Sequence, residues 1–171
     1  MLLITGASGQ LGWAARERCR TLGIEFASAD RSELDITDKA SAAKYVKERG
    51  IDCILNCAAY TAVDAAEDNI GDAYAVNAYA PHCLASLGVP LIHVSTDYVF
   101  DGRASTPYET DSATNPLSVY GLSKRAGETA LLESGASGLI VRTAWVYSAR
   151  PAAKNFLNTM KRLASSRDEV R

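Results

Sequence analysis

The N-terminal Met-Leu-Leu-Ile-Thr-Gly-Ala-Ser-Gly stretch lacks the basic segment of a signal peptide, and its apolar run is far shorter than a signal core or a membrane span. These absences predict a cytoplasmic protein with no membrane association. An excess of positive charge is missing as well, since 18 Lys and Arg stand against 20 Asp and Glu for a net charge of −2. Binding to a phosphate backbone depends on clustered Lys and Arg, so no nucleic acid is expected as a partner. The four cysteines, Cys19, Cys53, Cys57 and Cys83, include no Cys-x-x-Cys pair. They read as buried thiols, with no metal site expected. Low-complexity tracts and internal repeats are absent too, which excludes disordered and solenoid classes.

What is present is an alternation. At 171 residues, 47% of them hydrophobic, the chain is long enough to bury one core. Short apolar runs at Leu2 to Thr5, Ile24 to Ser28, Cys53 to Asn56, Leu91 to Ser95 and Leu139 to Arg142 read as parallel strands covered on both faces. Segments of helical period separate them. Leu11, Ala15, Arg18 and Leu22 mark one helix, and Ala73, Val76, Ala80, Leu84 and Leu87 another, while Gly23, Gly50 and Gly88 stand where a left-handed C-terminal residue is wanted. The pattern predicts an α/β fold, a Rossmann-type doubly wound parallel sheet, with ligands at the strand C-terminal ends. The aperiodic stretch Asp101 to Pro116 is expected as a loop over that edge.

Four groups of residues carry candidate chemistry. Gly6, Gly9 and Gly12 stand between the first strand and the first helix, spaced GxxGxxG. Glycines there permit a tight turn, and the helix N-terminus favours an anion, so a dinucleotide pyrophosphate is the expected ligand. An ordinary glycine turn is the alternative. Asp30 and Arg31 follow the second strand at the distance where a carboxylate takes the adenosine ribose and an arginine a 2′-phosphate, leaving NADH and NADPH both open, with a solvated loop pair as the alternative. Tyr120 and Lys124, at i and i+4, share one helix face, where a cation draws a phenol toward neutral-pH proton exchange. Such pairs also occur on exposed helices without function. Ser95, Thr96, Asp97 and Tyr98 close the fourth strand, where a hydroxyl could hold a carbonyl against that tyrosine; a run of turn-forming polar residues would look the same.

Taken together, the segments TGASGQLG, NCAAYTAVDAAE, STDYVFDG, YGLSK and RTAWVY resemble the extended short-chain dehydrogenase/reductase family over essentially the whole chain. The likeness is strongest to its branch that reduces the C4 ketone of dTDP-linked 4-keto-6-deoxy sugars. It implies Thr96, Tyr120 and Lys124 as the catalytic group. It also implies cofactor contacts from Gly9, Gln10, Leu11, Asp30, Asp35, Ile36, Ala59, Tyr60, Thr61, Val94, Tyr120 and Lys124, the last on the nicotinamide ribose, with Thr96, Asp97 and Trp145 facing the sugar nucleotide. Trp145 can equally be core, because Val146 and Tyr147 continue its apolar run. The related dehydratases carry a glutamate where this chain has Tyr98, so water elimination is disfavoured. Family members continue well past the position of Arg171, which implies that their C-terminal substrate-binding portion is missing. A non-catalytic NADP-binding regulatory protein and an inactive cofactor-binding fragment are the alternatives, and the assembly, a homodimer among the candidates, stays open.

Overall fold

The computed structural model describes residues 1–148, 150 and 155–166; the expected domain end at Arg171 lies outside them. Strands β1 (Leu2–Thr5), β2 (Phe26–Ala29), β3 (Cys53–Asn56), β4 (Leu91–Thr96) and β5 (Gly138–Thr143) form one sheet in the order β2-β1-β3-β4-β5, every neighbouring pair parallel. After β1 the chain pairs β2 on one side and then β3 on the other. That reversal is a topological switch point, and it opens a crevice beyond the C-terminal ends of β1 and β3.

The crossovers are helices α1 (Gln10–Leu22) and α2 (Lys39–Arg49), a broken helix, and α6 (Val119–Glu133). Asp38 starts α2 by accepting from the N–H groups of Ala40 at 3.0 Å and Ser41 at 3.2 Å, which satisfies donors the first turn would otherwise leave unpaired. The broken helix runs from α3 (Val63–Ala66) through α4 (Ile70–Tyr74) and a π turn (Ala75–Tyr79) into α5 (Ala80–Ala85), where a single continuous helix was expected. The π turn inserts the extra residue that re-aims the side chains around Asn77. A further helix, α7 (Phe156–Ala164), follows β5. Among the described residues no helix is long and apolar enough to cross a membrane.

Leu3, Ile54, Leu84 and Leu91 are wholly buried at the centre of the core. Each contributes about 1.5–3 kcal/mol through removal of apolar area from water. The expectation that all strands are covered on both faces fails at β5, where Leu139 is 57% exposed, because β5 is the edge of the described sheet. The second strand begins at Phe26 rather than Ile24. Gly23 turns left-handed at φ +66° and the Ile24 N–H closes back on the Cys19 carbonyl at 2.9 Å, so Ile24 belongs to the end of α1. Gly50 caps α2 in the same way, while Gly88 takes its positive φ beyond the end of α5. Only Cys19 and Cys83 are fully buried; Cys53 and Cys57 are partly exposed because their strand and its exit border open space.

Candidate active site

A cleft of about 980 Å³ lies over the switch point. Its floor is the turn that follows β1. Gly6 has φ +61°, and a side chain there would put its Cβ 2.7 Å from the Ala58 nitrogen. Gly12 lies behind this turn, where a Cβ would stand 2.3 Å from the Gly6 carbonyl oxygen. Gly12 therefore does not line the cleft, contrary to expectation; it lets α1 pack against the turn so that Gly6, Gly9, Gln10 and Leu11 can face it. Gly9 caps α1 without a side-chain bond, and the first turn holds no acidic residue. The first intrahelical bond runs from the Trp13 N–H to Gly9, which leaves the first-turn N–H groups of Gln10, Leu11 and Gly12 without an intrahelical acceptor, a helix start suited to a phosphate.

Asp30, at the end of β2, accepts from the Ser8 N–H at 2.9 Å and its hydroxyl at 3.0 Å, tying the second strand to the glycine turn. Arg31 and Ile36 also border the cleft, as does Asp35, whose carboxyl is held below its ordinary range by bonds from Thr37. On the opposite wall stand Ala59, Tyr60 and Thr61, beyond β3, with Val94, Thr96 and Asp97 at the end of β4. Tyr120 and Lys124 reach the same space from α6, whose N-terminus is fixed by Ser118 accepting from the Gly121 N–H at 3.1 Å. Trp145 borders it too. It is 76% exposed, with φ +52°, its ring edge-on to Phe156, so the core alternative for Trp145 is not realised. Apart from Gly12, every residue singled out from the sequence meets at this one cleft.

The electrostatics follow from burial. Lys124, 1% exposed, donates from Nζ to the Val94 carbonyl at 2.7 Å. Desolvation brings its pKa down to about 8, against the opposing pull of Glu128 and Cys57. Burial raises the Tyr120 phenol above its ordinary value, and contact with the Thr96 hydroxyl only partly offsets this. The expected downward draw by Lys124 is therefore not seen in the phenol itself, because desolvation dominates. Tyr98 meets Tyr120 edge-on, with centroids 5.4 Å apart. Cys57, in the cleft wall, is pushed up to about 12 by burial, which leaves an inert thiol.

Sequence reasoning passed over the polar groups behind this wall. Asn77, in the π turn, donates to the Tyr60 carbonyl at 3.1 Å and to the Ser123 hydroxyl at 3.0 Å; that hydroxyl in turn donates to the Tyr120 carbonyl at 2.8 Å. Buried Glu128 accepts from Arg142 at 2.9 and 2.8 Å, joining α6 to β5. Asn77 is a polar residue in an otherwise apolar turn, the one signal available, and that signal does not say what the residue meets; Glu128 stands among the polar and charged residues of α6, where nothing marks it.

The family described as RmlD substrate binding domain matches residues 1–171. The chain belongs to that family. It is 43% identical over 174 residues to a dTDP-4-dehydrorhamnose reductase of Burkholderia thailandensis, covering 99% of this chain and 57% of that protein. To a Mycobacterium tuberculosis protein of the same description it is 45% identical over 177 residues, with the same coverage of 99% and 57%. Among solved structures, the Clostridium acetobutylicum dTDP-4-dehydrorhamnose reductase superposes with a TM-score of 0.92 at 39% identity, covering 99% of this chain and 61% of that one. The Bacillus anthracis enzyme, solved in complex with NADP, gives 0.93 at 37% identity, with coverage of 99% and 61%. The chain thus spans about three-fifths of the length of these relatives.

Proposed function

We propose that this chain is the cofactor-binding and proton-donating part of an NAD(P)H-dependent reductase acting on the C4 ketone of dTDP-4-dehydro-6-deoxy-L-mannose. The observation that carries the reading is convergence: Thr96, Tyr120 and Lys124 open onto the same cleft as the glycine turn. The relatives named above support the substrate, and the Bacillus anthracis complex supports the cofactor.

The residues present fit a dinucleotide. The uncapped start of α1 and the close approach allowed at Gly6 and Gly9 would hold the pyrophosphate, and Asp30 and Arg31 the adenosine end. When bound, the reduced nicotinamide supplies the hydride. Thr96 directs its hydroxyl at the ketone oxygen, and Tyr120 donates the phenolic proton to that oxygen. A phenol whose pKa is raised by burial holds its proton until the oxygen becomes basic, which suits the reducing direction. Lys124 then offsets the negative charge left on Tyr120. Trp145 would cover the sugar.

Consumption of NADPH on addition of the keto sugar nucleotide, followed by absorbance with the product identified by mass, tests the reading. A rate indifferent to the sugar would sink it. Cofactor binding without turnover is the second reading, favoured by the exposure of Trp145 and Phe156 at 76% and 61% beside the cleft. Tight NADPH binding with no sugar-dependent oxidation would select it.

A further inference from the structure

Behind Lys124 lies a chain of buried polar groups that the proposed chemistry does not use. Asn56 and His93 are both wholly buried, on β3 and β4. The Asn56 Oδ1 accepts from the Thr5 hydroxyl at 2.7 Å and from the Ala58 N–H at 3.2 Å. A backbone N–H can only donate, so the amide cannot be turned round, and Nδ2 is the atom that faces the His93 Nδ1 at 3.2 Å. Nδ2 can only donate as well. His93 Nδ1 must therefore be the bare nitrogen, and the ring's single proton sits on Nε2, which stands 3.5 Å from the Lys124 Nζ.

We infer that His93 is a positioning residue for Lys124: locked by Asn56 as the Nε2–H tautomer, it sets a donor against the amine and turns the ammonium protons toward the Val94 carbonyl and the cleft. An ammonium has three donors and no acceptor, so it gains nothing from the His93 N–H, whereas a neutral amine would accept it. The arrangement aims Lys124 at the cleft and leaves its proton loosely held. Burial and the facing lysine push His93 down to about 3, consistent with a ring that stays neutral. Glu128 and Cys57 are the other titratable groups bearing on Lys124, and both act in the opposite sense to His93. The consequence for turnover rests on the reductase reading; the tautomer and the lysine's proton affinity do not.

The chain has two histidines, so imidazole nitrogens are resolvable by two-bond ¹H–¹⁵N correlation on histidine-labelled protein, with His82→Gln assigning the pair. The expected spectrum shows His93 neutral at pH 7 with the proton on Nε2. A proton on Nδ1, or a charged ring, would overturn the proposal whatever the enzyme's activity. The ¹³Cε resonance of Lys124, assigned through Lys124→Met, is then titrated in the parent chain and in His93→Leu. Loss of the facing donor should move its midpoint upward by about one pH unit. An unmoved or lowered midpoint in a folded variant would also overturn it. Where His93→Leu does not fold, Asn56→Asp is read from the imidazole nitrogens instead, since an acceptor there moves the ring proton to Nδ1; a proton still on Nε2 would overturn the lock by Asn56. If the tautomer and midpoint behave as expected while no sugar-dependent oxidation is found, the reductase reading fails and this one stands.

Discussion

Asn77 grips the backbone of Tyr60 with both ends of its amide, accepting from the Tyr60 N–H at 2.9 Å and donating to the Tyr60 carbonyl at 3.1 Å. The grip pins the cleft wall after β3 to the π turn, and through Ser123 to the start of α6. Replacing Asn77 by Leu strands backbone groups that have no other partner among the described residues. A loss of about 2–4 kcal/mol is expected from these unsatisfied donors and acceptors. Urea unfolding should show it, and NADPH affinity should fall, because Tyr60 lines the cleft proposed to hold the cofactor. Wild-type stability in Asn77→Leu would remove the grip from the account.

Gly12 tests whether packing or ligand contact explains the third glycine. A Cβ at that position meets the Gly6 carbonyl at 2.3 Å, with no flexible side chain able to yield. Gly12→Ala should destabilise the fold by about 1–3 kcal/mol, the range for overpacking. Gly71→Ala, where a Cβ has open space, is the control and should leave stability unchanged. Equal midpoints for the two variants would show that the turn can relax.

The glycine turn was legible because its signal is local. A short apolar run followed at once by glycines and a helical period has few other structures available. The same locality explains the misplacement of Ile24, since an apolar residue after a helix looks alike whether it closes a cap or opens a strand. His93, Asn77 and Glu128 could not be read. Their roles come from partners 37, 17 and 14 residues away, and nothing in the sequence marks a polar residue as having a buried partner at that distance. Trp145 was undecidable for another reason: an apolar run reads as core, yet here Trp145, Val146 and Tyr147 are all exposed.

Tyr120→Phe separates proton donation from binding. It removes one oxygen from a partly buried ring and leaves the glycine turn and Lys124 in place. Turnover of the keto sugar should fall by about 10²–10⁴-fold, the range for a lost general acid. NADPH affinity, followed by fluorescence, should be unchanged. Retained turnover would take Tyr120 out of the proposed reaction.

His93 also gives the fold a pH dependence. Its pKa, ordinarily 6.5, is depressed to about 3 in the folded chain, so the unfolded chain takes up the proton first. Stability is therefore complete above about pH 6.5 and declines toward pH 3, by on the order of 1 kcal/mol per pH unit inside that window. Carboxylates titrate in the lower part of the same window, so the measurement is a comparison. Urea midpoints from pH 7 to pH 4 should fall more steeply for the parent chain than for His93→Leu; parallel slopes would contradict the assignment.

Glu128 is wholly buried, and among the described residues its carboxylate is paired with Arg142 and, at 3.5 Å, with Arg125. Removing the stronger partner by Arg142→Met leaves a carboxylate in a dry site with one distant cation. The expected cost is about 3–5 kcal/mol, since breaking a buried pair exposes its full desolvation penalty. Glu128→Gln should cost less, because the amide needs no counter-charge. It has a second effect that the arginine change lacks. Glu128 supports the ammonium of Lys124, so its neutral replacement should lower the lysine's titration midpoint below about 8. The paired measurement, unfolding for both variants and a Lys124 titration for Glu128→Gln, distinguishes a strut between α6 and β5 from a group that also tunes the cleft. An unmoved lysine midpoint would leave Glu128 the structural role alone.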